Sequence, residues 1–253
     1  MSPTALAPSA ADEISLVPRL GERRDRELCV MSFVALLAGE RHTDRPATAC
    51  PVITTFVIKI NDAIDCDTRQ RLKPLAHDIL GTNDGRSGER AWYLARTCVN
   101  DVFGGIAQAA GVPAEIIPHL PERRNDAFDF SALSSDIKSL CRKYDIDRAV
   151  LFDMRYLVRA LARGSDDLVA SAAAVLFVDA ARLHGGATDD NPYWKAAIAL
   201  FSRLCRIGKD GRAPVALIEE HLIADAIRSR TARSYAPLLF WLAPDRRNPR
   251  NSG

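Results

Sequence analysis

The residues of this 253-residue chain that first invite chemistry are an adjacent pair, His77-Asp78, in the run Leu75-Ala76-His77-Asp78-Ile79-Leu80-Gly81. Another histidine, His42, lies 35 residues upstream, and Asp145, Asp147 and Asp153 follow downstream. Neutral imidazoles and carboxylates together suit a divalent transition metal. Such a metal turns bound water into a hydroxide nucleophile near neutral pH. His42, His77 and Asp78 are therefore candidate metal ligands, and a divalent metal is the cofactor they would imply. The plainer reading is a His and an Asp on the surface of a short helix, with no cofactor at all.

The His-Asp dipeptide, with an earlier His and a later Asp, resembles the signature of the HD-domain metal phosphohydrolases, an all-helical superfamily. That resemblance implies His42 as the earlier ligand, Asp145, Asp147 or Asp153 as the later one, and metal-dependent hydrolysis of phosphate esters. Two features depart from it. His42 falls in a loop, Arg41-His42-Thr43-Asp44-Arg45-Pro46, and Pro74 disturbs the helix that should present the pair.

The same loop is the second cluster. Gly39-Glu40-Arg41-His42-Thr43-Asp44-Arg45-Pro46 crowds charges between two apolar stretches. It could form a ligand or acid–base site. Local capping, with Glu40 and Asp44 pairing Arg41 and Arg45, is the reading its turn chemistry favours. The stretch from Cys29-Val30-Met31 through this loop to Pro51 and Asn61-Asp62 resembles a group of bacterial helical proteins, over roughly the first 100 residues. That likeness implies a helical fold and carries no activity. Cys29, Cys50 and His42 share the region, but no nucleophile, phosphate-loop or zinc-protease motif surrounds them.

Helices must position these groups. Leu28–Ala38 is apolar all round and Gly39 stops it, as in a buried helix. Val52, Ile53, Phe56, Val57, Ile60 and Ile64 repeat at helical spacing after Pro51. A shorter helix is expected over 68–80. A longer one carries Trp92, Ala95, Val99, Val102, Phe103 and Ile106 and ends near Gly111. Pro113, Pro118 and Pro121 form a connector. Beyond it, stripes led by Leu133, Val150, Tyr193 and Ile218 predict further helices, one of them running from a Ser165-Asp166-Asp167 cap to Leu183. The expectation is an all-α globular bundle of about nine helices with essentially no sheet. It is organised as a loose arm over 1–25, helical parts over 26–120 and 121–245 (one unit or two subdomains), and an Arg-rich tail over 246–253.

Charge and cysteine usage narrow the function classes. Net charge is +2, so the chain as a whole is not a polyanion binder. From Arg228 to Gly253 six arginines face only Asp245, net +5, leaving −3 for the other 227 residues. That end could grip phosphates or dock on an acidic partner. Six cysteines stand singly with no C-x-x-C pair, which predicts reduced thiols and a cytoplasmic protein. No stretch reaches the roughly 20 apolar residues of a membrane span. The leading expectation is a non-catalytic helical protein that binds other protein chains or associates with itself. An HD-type phosphohydrolase is the alternative, and a nucleic-acid binder using the Arg-rich C-terminal region is the third.

Overall fold

The computed structural model describes residue 11 and residues 13–125, 127–186 and 190–209. The helix expected to open at Pro214, the segment 238–242 and the Arg-rich region from Arg228 to Gly253 lie outside the described residues. The fold is predominantly helical. Its α-helices are α1 (Val30–Leu37), α2 (Pro51–Ala63), α3 (Cys66–Gln70), α4 (Ala76–Ile79), α5 (Ser87–Thr97), α6 (Gly104–Ala109), α7 (Phe130–Lys143), α8 (Arg148–Ala162), α9 (Asp166–Leu183) and α10 (Pro192–Arg206).

At the centre is α9. Its buried positions include Ala170, Ala172, Ala173, Ala174, Ala180 and Ala181. Small side chains on several faces let α2, α5, α8 and α10 approach it together. Larger residues fill the spaces between, as where Phe56 of α2 meets Phe177 edge-on at 5.8 Å between ring centroids. All eight residues of α1 are buried, as its all-round apolar sequence predicts. Arg90, fully buried in α5, ties two distant parts together. It grips Asp84 with two bonds of 2.6 and 2.7 Å and donates to the carbonyls of Thr82, Leu204 and Ile207.

Two expectations are corrected. Of the loose arm expected over 1–25, residues 13–25 are tied into the fold. Strands β1 (Ser15–Leu16), β2 (Gly21–Glu22) and β3 (Glu27–Leu28) make a small sheet in the order β1-β3-β2, with β1 parallel and β2 antiparallel to β3. Ile14 and Leu16 are buried, and helix side chains hold the backbone down. Gln70 exchanges two bonds with Leu16, Lys73 Nζ donates to the Ile14 carbonyl, and Asn61 Nδ2 donates to the Val17 carbonyl. Gly21 has φ +69°, and a Cβ there would strike the Glu27 carbonyl, so only glycine fits the turn.

The helix expected over 68–80 is broken into α3, a 3-10 turn at Lys73–Leu75 and α4, because Pro74 lacks the N–H that would continue the ladder. Of the two organisations the sequence leaves open, one unit or two subdomains, the packing across the connector at 112–125 fits the first. One cluster of buried side chains runs from Ile14 to Cys205, with α2 from one half packed on α9 from the other.

Candidate functional site

The three candidate metal ligands occupy different settings. His77 is exposed on the single-turn helix α4. Asp78 beside it pairs with Lys209 Nζ at 3.0 Å. His42 lies in the loop between α1 and α2, with Nε2 3.2 Å from the Gly21 carbonyl. Among the described residues, no group of three or more His, Cys, Asp or Glu side chains is arranged to hold a metal ion.

The charged loop around His42 is built by capping. Both oxygens of Glu40 accept backbone N–H groups, from Ala47 at 2.7 Å and Thr48 at 3.0 Å, and Thr43 Oγ1 accepts from Arg45 N. Arg23 Nη2 reaches in to the Glu40 carbonyl at 2.8 Å. Burial and the nearby Arg23 charge push the His42 pKa down, so its ring is neutral near pH 7. Its Nδ1 and the Arg23 Nε are buried with no hydrogen-bond partner among the described residues. The loop therefore fastens the β2 turn to the start of α2.

The most perturbed carboxyl among the described residues stands elsewhere. Asp153, on the inner side of α8, is 4% exposed, and the Asp179 carboxyl of α9 lies within hydrogen-bonding reach. Burial, reinforced by the Asp179 charge, pushes the Asp153 pKa up to about 7. Asp179 is more open and bonds Arg182 at 3.0 Å, and Asp153, the more buried of the two, takes up a proton as pH falls through about 7. Asp153 Oδ2 is buried with no hydrogen-bond partner among the described residues, a setting that favours the protonated form. The sequence marks Asp153 as one of several late carboxylates. It gives little sign of Asp179, whose only signal is an acid inside the apolar run Val175–Ala181.

The opposite side of α8 is unusual in another way. Phe152 is 71% exposed, and Tyr156, one turn further, is 36% exposed. At 100° per residue these two share one stripe with the exposed Arg148, Arg155, Arg159 and Arg163. The inner stripe, Val150, Met154, Leu157, Val158 and Leu161, is buried against the core. Helical spacing in the sequence already separates these two sides, but it does not show how exposed the outer one is among the described residues.

A small cleft lined by Gly88, Trp92, Arg124, Gly164 and Asp166 lies between α5 and the α8–α9 turn, with a cavity volume of about 10 Å³. That is room for no more than about one water molecule, far below the size of a small-molecule site. No protein-family model matches this chain, and comparison with curated proteins and with solved structures likewise yields no match.

Proposed function

We propose that this chain acts without catalysis, by binding another protein chain through the outer face of α8. One observation carries the reading: a phenylalanine 71% exposed in the middle of a long, well-packed helix. An amphipathic helix that only covers a core carries polar residues on its outer side. Here the outer side holds an aromatic pair flanked by arginines, the residue types enriched at the centres of protein interfaces. The α8 backbone is held by α7 and α9, so the face is presented on a rigid element rather than a loop, which lowers the ordering cost of binding.

The test is Phe152→Ser. Its side chain is largely in water, so the change should alter stability by no more than about 0.5 kcal/mol. It should abolish stable association with the partner in pull-down and size-exclusion experiments on the full chain. Unchanged association would remove α8 as the contact.

A further inference from the structure

We infer that the partner presents to α8 an acidic segment carrying apolar side chains, which seat on Phe152 and Tyr156 while its carboxylates pair with the flanking arginines. The inference rests on the proposed binding role of α8 and adds the chemistry of the partner. Arg148, Arg155, Arg159 and Arg163 follow one another at intervals of seven, four and four residues. They form a line about 22 Å long on the same stripe as the two aromatics. None makes an ion pair among the described residues, unlike Arg26 with Glu13, Arg86 with Glu89 and Arg182 with Asp179. The one acid within α8, Asp153, faces inward to Asp179 and cannot neutralise them.

Four exposed guanidinium groups with no ion pair among the described residues leave a positive strip in a chain whose first 227 residues carry −3. A partner surface complementary to it must be negative. Guanidinium groups pair carboxylates with two parallel bonds, which also fixes register along the strip. A second copy of this chain docking by the same face would set arginine against arginine, so a symmetric contact through α8 is repulsive. A nucleic acid is the poorer fit. The cations form one narrow line along α8 rather than a broad basic surface.

The first experiment uses the full chain and fluorescently labelled probes. One is a helical peptide of about four turns with leucines at helical spacing on one face and glutamates beside them. The others are the same peptide with lysines for glutamates, a glutamate-only peptide and a single-stranded oligonucleotide. The acidic amphipathic peptide should bind best, and more weakly as salt rises. Phe152→Ser, and Arg155→Glu combined with Arg159→Glu, should each weaken it at least about tenfold. Circular dichroism confirms that each variant is folded.

Equal binding of the lysine peptide overturns the inference. So does tighter binding of the oligonucleotide that is lost in the same variants, which would mark a nucleic-acid surface. A dimer that dissolves in those variants would show a second copy on this face. Acidic-peptide binding that emerges only after removal of residues 210–253 would assign the face to the chain's own C-terminal segment.

A second experiment separates this inference from the reading beneath it. Phe152 is replaced by a photo-crosslinking benzoylphenylalanine, and the cross-linked site is mapped by mass spectrometry. An acidic partner segment supports both. A protein segment without excess acid overturns the inference and leaves the binding role standing. No cross-linked protein overturns both.

Discussion

Two buried ionisable residues set the stability of this chain in opposite ways. Asp153 has a folded pKa raised to about 7, well above an unfolded aspartate. The folded state therefore binds the proton more tightly. The contribution of Asp153 is fully present below its unfolded pKa and is lost as pH rises through about 7. Asp153→Asn keeps a donor toward Asp179 and cannot ionise. Chemical denaturation from pH 4 to 8 should therefore show the variant gaining on the parent as pH rises, with the difference levelling above the folded pKa. A constant difference across that range would mean that burial does not raise the Asp153 pKa.

Arg90 works through partners that have no substitute. Arg90→Met removes the guanidinium that serves Asp84 and three carbonyls. Leaving those groups buried should cost about 3–5 kcal/mol in urea unfolding. Neither residue's role is legible in the sequence. A lone arginine or aspartate reads as surface until the fold surrounds it, and the partners of Arg90 lie up to 117 residues away.

At the scale of elements, legibility follows length. Helices α2, α8, α9 and α10 repeat their apolar residues over three turns or more, and the sequence predicts each of them. The strands are two residues long, too short for alternation to register. Nor does the charged stretch 21–26 reveal that its neighbours Leu16 and Leu28 are buried. The same limit hid the helix distortion beyond α5. There the helix continues through six residues of π geometry, Cys98–Phe103, into α6.

Within that segment Asn100 points toward the connector, where its Oδ1 accepts Leu120 N at 2.8 Å and its Nδ2 donates to the Leu120 carbonyl at 3.0 Å. A π segment shifts the facing of every later side chain by part of a turn. Here it accompanies a side chain that clamps a proline-rich stretch. Asn100→Ala should lose both bonds, cost about 1–3 kcal/mol, and raise hydrogen exchange at Leu120 while leaving α8 and α9 protected. Protection unchanged at Leu120 would show that the prolines hold the connector without the clamp.

For the whole molecule, the question is whether the chain folds as one unit. Composition and periodicity suggest a boundary at the three prolines of the connector, because proline-rich linkers commonly divide domains. The packing across it argues otherwise. Thr55 of α2 donates to Asp167 of α9, Phe56 meets Phe177, and Arg90 of α5 holds the end of α10. Each of these pairs joins the part before the connector to the part after it. Separating the halves would strip α9 of the helices that cover its alanine-rich sides, exposing Ala170, Ala173, Ala174 and Phe177, all fully buried now. Alanine supplies little transfer energy of its own, so α9 is stable only while larger side chains from α2 and α5 lie against it.

Heat or urea should therefore give one cooperative transition, coincident by far-ultraviolet circular dichroism and tryptophan fluorescence. Trp92 and Trp194 report from opposite sides of the connector, and both are buried. A fragment beginning at residue 127 should be largely unfolded or aggregated, since its α9 would present an apolar surface to water. Two separated transitions, or a fragment that melts cooperatively by itself, would show that the connector divides the chain and that the contacts between α2 and α9 form an interface between domains rather than a core.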